Sequence, residues 1–119
     1  HPALSVKWVE DFPEIPLNRN EAYKLRVTSK GVEIEAITET GVYRAIQTLR
    51  QLTEKKGNGI AITGCEITDW PAFRIRGFMQ DVGRTYISTD ELKREIAILA
   101  RYKINVFHWH LTENQALRL

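Results

Sequence analysis

Cysteine, methionine and proline are scarce in this 119-residue chain, which holds one cysteine, one methionine and four prolines. The single cysteine, Cys65, excludes an internal disulfide and says almost nothing about the redox compartment. Long apolar runs are also missing. The longest aliphatic run, Ile96–Ala100, is far shorter than the roughly 20 residues that a membrane-spanning helix needs. We therefore expect no membrane span.

Charge of one sign is not in large excess either. The chain has 17 Lys+Arg and 15 Asp+Glu, which gives a formal net charge of +2. The basic residues are scattered, with Lys55–Lys56 as the longest run, whereas nucleic-acid-binding domains usually carry a clustered basic face. Hydrophobic residues make up 43% and charged residues 27%, as in folded globular proteins. We expect no nucleic-acid partner.

Alternating apolar and charged residues in the first part of the chain predict a β-hairpin. Residues 23–28 and 32–36 alternate with period two, and Gly31 lies at the turn between them. One face of this hairpin is apolar, and on the other face lysine and arginine oppose glutamate. Residues 6–9 suggest a further short strand before it.

A helix is predicted after the hairpin, because apolar residues recur at helical spacing. We expect it to end at Lys55–Gly59, where cations precede glycine, and residues 60–62 to form another short strand. The apolar stripe consists of Val42, Ala45, Ile46, Leu49 and Leu52. Together these patterns predict an antiparallel sheet with one packed helix in residues 1–70.

The rest of the chain predicts a β-α-β unit. Phe73–Asp81 has a strand pattern, a capping box at Ser88 and Glu91 opens a helix that runs to about Lys103, and Ile104–Leu111 forms a second strand. Such a unit favours a parallel pair with a right-handed crossover. A complete (β/α)8 barrel needs about 250 residues, so the length excludes a whole barrel.

The first candidate site follows the first strand of this unit, at Asp81-Val82-Gly83-Arg84. Ligands of α/β proteins bind at the carboxyl ends of parallel strands. Arg84 could present its planar set of donors to sugar hydroxyls or carboxylates there. Alternatively, Asp81 and Arg84 form an ion pair that braces the loop, and the spacing alone favours this second interpretation.

The second candidate site is His108-Trp109-His110 at the end of the other strand. Period two places both histidines on one face, and with Glu113 they could supply three ligands to a zinc ion. The alternative is that the histidines serve as hydrogen-bond partners without a metal. We favour this alternative and predict no metal and no cofactor.

Cys65 and three tryptophans are weaker candidates. Cys65 has neither a helix N-terminus nor a histidine nearby, so we expect a small buried residue rather than a nucleophile. Trp8, Trp70 and Trp109 could stack on sugar rings, but tryptophan is more often a core residue, and this is our expectation here.

Four segments of the chain, taken in order, indicate a protein family more specifically than any single motif does: Glu21–Val27, Gly41–Leu49, Ile67–Arg84 and Arg101–Thr112. The third holds an Asp-x-Pro-x-Phe segment, an Arg-Gly pair and an Asp-x-x-Arg motif. These segments resemble glycoside hydrolase family 20, the β-N-acetylhexosaminidases. The resemblance implies that residues 1–70 are part of a non-catalytic α/β domain and that residues 71–119 are the first β-α-β of an incomplete (β/α)8 catalytic barrel.

The same resemblance implies a reaction. Members of this family remove terminal β-linked N-acetylhexosamine with retention, and the acetamido oxygen of the substrate attacks the anomeric carbon. The general acid and its helper form an Asp-Glu pair on later barrel strands, so no catalytic residue is expected among these 119 residues. We expect the isolated chain to be inactive and able to self-associate through exposed strands. The family suggests a periplasmic, extracellular or lysosomal parent enzyme, although nothing in the sequence shows export.

Individual residues also take roles from the resemblance. Arg84 matches the arginine that binds the hydroxyls of the terminal sugar, which reverses the preference drawn from spacing. Three residues are expected to hold the sugar-binding residue in place without contacting the sugar themselves: Asp81, His110 and Glu113. His108 is expected to be structural. Glu113 stands where the family usually has the first of two aspartates. Asn114 replaces the second aspartate, and Leu117 stands where many members have tryptophan.

Three other classes of function stay open from the residues alone. A metal-dependent barrel hydrolase would use His108, His110 and Glu113, and metal analysis of the purified protein would identify it. A carbohydrate-binding module would respond to titration with N-acetylglucosamine. An interaction domain would self-associate, which light scattering measures.

Overall fold

The computed structural model describes residues 3–113 and 116–117, and the chain divides into two compact units between Arg74 and Ile75. The first unit contains β1 (Ala3–Trp8), a 3₁₀ helix (Arg19–Glu21), β2 (Tyr23–Thr28), β3 (Gly31–Ala36), α1 (Glu39–Gln51), β4 (Thr53–Lys56), β5 (Gly59–Ile62) and β6 (Cys65–Asp69). The second unit contains β7 (Gly77–Asp81), α2 (Thr89–Arg101), β8 (Val106–His110), β9 (Thr112–Glu113) and β10 (Ala116–Leu117). No helix in the described residues is long and apolar enough to cross a membrane.

A four-stranded sheet with the order β1-β3-β2-β6 organises the first unit. Strand β2 runs antiparallel to both β3 and β6, whereas β1 runs parallel to β3. The close approach of β1 depends on Gly31, because a Cβ added there would lie 2.5 Å from the Ala3 carbonyl oxygen. The predicted α/β class, with a largely antiparallel sheet and a packed helix, is confirmed.

The two faces of the hairpin differ as the alternation predicts. The core lies on the face covered by α1, and its buried members are Tyr23, Leu25, Val27, Ile34, Ala36 and Ala45. On the other face, Lys24 lies opposite Glu35 and Arg26 lies opposite Glu33. The ion pairs there extend across further strands, because Glu35 bonds Lys7 of β1 at 2.6 Å and Arg26 bonds Glu66 of β6 at 2.9 Å.

The predicted end of the first helix is wrong. Helix α1 ends at Gln51, and the stretch Lys55–Gly59 instead belongs to a hairpin in which β4 pairs with β5. Gly57 has a φ of 60°, the left-handed conformation that glycine adopts without steric cost, and it turns the chain between the two strands. All four residues of β4 are exposed, so its lysines mark a solvated strand rather than a helix terminus.

The strand β6 was not predicted, and Cys65 within it is half-buried rather than buried. Its partner is β2, about 40 positions earlier, with Val27 opposite Cys65 and Tyr23 opposite Asp69. The Tyr23 hydroxyl donates to Asp69 Oδ2 at 2.8 Å and ties the two strands together at one end. Pairing of such sequence-distant strands leaves little signal in the local sequence.

The second unit has the predicted strand-helix-strand order, with β7 and β8 parallel and Gly77 opposite Val106. Strand β7 begins at Gly77 rather than Phe73. The Arg76 N–H instead bonds the side-chain oxygen of Asn105 at 2.8 Å. Strand β8 is likewise shorter than the predicted Ile104–Leu111.

The ends of α2 show one prediction confirmed and one corrected. The capping box is present, since the Ser88 side chain accepts from the Glu91 N–H and the Glu91 carboxylate reaches back to the Ser88 N–H. The helix ends at Arg101 rather than at Lys103, because Lys103 has a φ of 60° and turns the chain toward β8.

Candidate functional site

The candidate site lies where β7 and β8 end. Asp81 is the last residue of β7, His110 is the last residue of β8, and the parallel register places them opposite each other. The Val82 N–H continues the ladder by donating to the His110 carbonyl oxygen at 3.0 Å. Glu113 follows in β9. One potential ligand atom from each of Asp81, His110 and Glu113 lies within 4.8 Å of the others.

Asp81 holds the loop that carries Arg84. Its Oδ1 accepts from the backbone N–H of Gly83 at 2.9 Å and of Arg84 at 3.2 Å, and its Oδ2 accepts from Arg84 Nε. The Asp81 side chain is only 16% exposed, whereas that of Arg84 is 68% exposed. The bracing pair suggested by the spacing is therefore present, and it presents the arginine to solvent as well.

These hydrogen bonds change the acidity of both groups. The side-chain hydrogen bond from Arg84 holds the pKa of Asp81 below its usual value, and the backbone N–H groups of Arg84 and Gly83 add to this effect. The same bond to Asp81 raises the pKa of Arg84, with a smaller contribution from the charge of Glu113. Asp81 therefore stays ionised below the ordinary carboxyl range, and Arg84 stays cationic.

Glu113 lies between Arg84 and His110. Its Oε1 is 3.7 Å from Arg84 Nε and 4.0 Å from His110 Nε2. Gly83 lies beside both carboxylates, because a Cβ added there would contact Glu113 Cγ at 3.4 Å and would lie 3.3 Å from Asp81 Oδ1, which is a tight contact. Gly83 belongs to the segment singled out in the sequence, but its proximity to Glu113 was not predicted.

His108 does not join this group. It lies opposite Met79 in the register, is exposed, and its ring centroid is 6.2 Å from that of His110. A metal site in the described residues would therefore use Asp81 with His110 and Glu113, not the alternative set with His108 that the sequence left open. The Arg84 guanidinium already contacts both of those carboxylates, so a cation would have to compete with a fixed positive charge.

The tryptophans differ from their expected place in the core. Trp8 is 58% exposed, Trp109 is 50% exposed and Trp70 is 36% exposed. Across the β7–β8 pair, the rings of Phe78 and Phe107 stack with their centroids 6.4 Å apart. Of the two remaining positions singled out in the sequence, Asn114 lies outside the described residues and Leu117 belongs to β10.

Comparison with known proteins identifies the family of the chain. The family model "Glycosyl hydrolase family 20, domain 2" matches residues 7–70, and the model of the family's catalytic domain matches residues 73–119. The chain belongs to glycosyl hydrolase family 20. The resemblance seen in the sequence is confirmed, and the β7-α2-β8 unit with its Asp81–Arg84 loop falls in the part that matches the family 20 catalytic domain.

Several named proteins share extended similarity with the chain. A β-hexosaminidase of Porphyromonas gingivalis is 42% identical over 88% of this chain, and a β-N-acetylhexosaminidase of Cellulomonas fimi is 40% identical over 92%. A crystal structure of the exo-β-N-acetylglucosaminidase of Vibrio harveyi matches 97% of the chain at 37% identity with a TM-score of 0.86. The chain spans only 14%, 22% and 17% of these three proteins.

Proposed function

We propose that a longer enzyme carrying this segment hydrolyses terminal, non-reducing N-acetyl-D-hexosamine from β-linked glycans. The observation that carries the proposal is Arg84, held by Asp81 at the carboxyl end of β7 with its side chain 68% exposed. The (β/α)8 barrels bind their ligands at the carboxyl ends of their parallel strands. The family and the printed names of the relatives from Porphyromonas gingivalis and Cellulomonas fimi support the choice of substrate.

The role of this segment in that reaction is to bind the sugar. Arg84 would donate charge-assisted hydrogen bonds to hydroxyls of the terminal residue. Asp81 fixes the position of Arg84, and Glu113 adds a second carboxylate beside it and contacts His110. The attack of the acetamido oxygen on the anomeric carbon and the protonation of the leaving oxygen fall to the substrate and to an Asp-Glu pair outside these residues.

The same proposal assigns each part of the chain to a domain of the longer enzyme. Residues 1–70 would form part of the accessory α/β domain, and residues 71–119 the first β-α-β of the catalytic barrel. On this basis the 119-residue chain has a sugar-binding arginine but no general acid. We therefore propose that the isolated chain is inactive.

A comparison of substrates tests the proposed function. The longer enzyme should release the phenol from an aryl N-acetyl-β-D-glucosaminide but not from the matching aryl β-D-glucoside. The glucoside lacks the acetamido group that acts as nucleophile. The purified 119-residue chain should cleave neither. Release of the chromophore, followed at equal enzyme concentrations, measures both outcomes.

Three results would contradict the proposal. Equal cleavage of the glucoside would exclude participation of the acetamido group. Activity that a chelator abolishes and a divalent metal restores would favour a metal-dependent hydrolase built on Asp81, His110 and Glu113. Turnover by the isolated chain would show that its own residues supply the acid.

The Asp81–Arg84 pair also predicts a pH dependence. Because the folded-state pKa of Asp81 is lowered, the pair stabilises the loop above the unfolded-state pKa, and this stabilisation is lost as the pH falls through the lowered folded-state value. An NMR titration of the Asp81 carboxyl carbon should give a midpoint below the ordinary aspartate range. Arg84→Met should raise that midpoint, since it removes the largest cause of the shift. An unchanged midpoint in Arg84→Met would mean that the backbone N–H groups alone hold the carboxylate.

A further inference from the structure

Asn58 is the only one of the five asparagines in the chain that precedes a glycine. The backbone nitrogen that follows an asparagine can attack the carbonyl carbon of the asparagine side chain, and a side chain on the attacking residue obstructs this ring closure. Gly59 has no side chain. The other four asparagines precede arginine, glutamate, valine and glutamine. The ring closure is therefore least hindered at Asn58.

The surroundings of the asparagine amide groups differ in the same direction. Asn18 Nδ2 donates to the Pro71 carbonyl oxygen at 2.8 Å, and Asn105 Oδ1 accepts from the Arg76 N–H at 2.8 Å. These hydrogen bonds hold both amide groups in fixed positions. Asn58 is exposed at the tip of the β4–β5 hairpin, where water reaches its amide group.

The turn that contains Asn58 opposes the reaction while it is closed. Lys56 is the register partner of Gly59, so Gly57 and Asn58 form the two-residue loop of the hairpin. The residues that flank such a loop exchange backbone hydrogen bonds, and the Gly59 N–H is thereby directed at the Lys56 carbonyl oxygen. The attack requires the Gly59 nitrogen to turn toward the Asn58 side chain, so this hydrogen bond has to break first.

We propose that Asn58 is a site of intramolecular deamidation and that opening of the Gly57–Asn58 turn controls its rate. The Gly59 nitrogen gives its proton to hydroxide and bonds to Asn58 Cγ. The bond from Cγ to Nδ2 breaks, and Nδ2 takes a proton from water and leaves as ammonia. The product is a cyclic imide. Water then opens the imide at Cγ, which gives aspartate, or at the backbone carbonyl carbon, which gives isoaspartate.

The two products have different effects on the hairpin. Aspartate keeps the normal backbone and adds a negative charge near Lys55 and Lys56, which are both exposed. Isoaspartate adds a methylene group to the backbone of a loop whose length sets the register of β4 on β5. We therefore expect isoaspartate to disrupt the pairing next to the turn. This proposal concerns the first unit and does not depend on the proposed hydrolase activity.

Peptide mapping by mass spectrometry in the 119-residue chain tests the site. After incubation at mildly alkaline pH, the peptide that contains Asn58 should convert to separate aspartate and isoaspartate forms, and the peptides that contain Asn18 and Asn105 should stay unchanged. Conversion at all three positions alike, or none at Asn58, would overturn the proposal.

Gly59→Val is the matched control for the attacking residue. A Cβ at Gly59 would lie 3.9 Å from the Lys56 carbonyl oxygen, which is an ordinary contact, and the backbone there is outside the left-handed region. The hairpin should therefore accept valine, a residue that strands favour. The branched side chain obstructs the ring closure, so conversion at Asn58 should be lost over the same incubation. Undiminished conversion in Gly59→Val would contradict attack by this nitrogen.

Gly57→Ala tests control by the turn, because it leaves both reacting residues unchanged. Among the described residues, no heavy atom lies within 4 Å of a Cβ added at Gly57, but its φ of 60° is unfavourable for a residue with a Cβ. The strained turn should open more often and speed conversion at Asn58 about fivefold or more. In urea that unfolds the chain, both proteins should react at the same rate. A Gly57→Ala rate equal to the native rate without urea would contradict control by the turn. Circular dichroism checks that both variants fold.

Discussion

Arg84→Ala in the longer enzyme is expected to lower kcat/KM by at least about a hundredfold, because hydrogen bonds to charged groups contribute about 1.5–3 kcal/mol each and a guanidinium can make two of them. The fold should be unaffected. The Arg84 side chain is 68% exposed, and neither of its ion pairs, with Asp81 and with Glu113, involves a core residue. Steady-state kinetics with an aryl N-acetyl-β-D-glucosaminide measures the loss.

Two further variants separate binding from a general effect of charge. Arg84→Lys keeps the cation but not the planar set of donors, and we expect it to recover only a small part of the activity. Arg94→Ala removes another exposed arginine, on the surface of α2, and should behave like the unmodified enzyme. If Arg84→Ala also kept normal kinetics, Arg84 would be a bracing residue alone.

Local patterns predicted those elements that local interactions determine. Alternation over residues 23–36 is enough for the β2–β3 hairpin, because the two strands are adjacent in sequence and their turn contains Gly31. The capping box at Ser88 and Glu91 likewise marks the start of α2 within one helical turn. In both cases the residues that form the bonds lie close together in the chain.

Other elements depend on distant partners. Strand β6 exists because β2 offers it a free edge about 40 residues away, and Cys65–Asp69 by itself has only a weak strand pattern. The stretch Thr53–Lys56 lies next to the end of α1, so its lysines suggested a helix terminus. This stretch is a strand instead, because it pairs with β5 across a turn at Gly57, which has a left-handed backbone conformation.

The contacts of the candidate site also fall into those that local spacing predicts and those that depend on the path of the chain. The contact between Asp81 and Arg84 follows from their spacing, and the parallel register that brings Asp81 to His110 follows from a β-α-β unit. The place of Glu113 beside both Arg84 and His110 depends on how the chain turns after β8. Spacing alone suggested His108 as a partner, and the structure has Asp81 in that position.

A buried ion pair in the first unit carries the largest expected effect on stability. Arg44 Nε donates to Glu21 Oε2 at 2.9 Å, and the two side chains are only 8% and 10% exposed. Arg44→Leu removes the cation that contacts the buried carboxylate. We expect it to lower the free energy of unfolding by about 3–5 kcal/mol, as for other buried pairs that lose one partner. Urea unfolding followed by circular dichroism measures the change.

The reason for this loss is that the buried carboxylate no longer has the positive charge of Arg44 beside it, and two comparisons isolate this cause. Replacing both partners, Glu21→Leu with Arg44→Leu, removes the charge together with its counter-ion and should be less destabilising than Arg44→Leu alone. Arg26→Leu breaks a pair whose side chains are 58% and 73% exposed, and should cost less than about 1 kcal/mol because water screens the remaining glutamate. If the two single variants lost equal stability, burial would not be the cause. The double variant then decides whether the guanidinium acts through its charge or through its packing against the Tyr43 ring, 5.7 Å from the ring centroid.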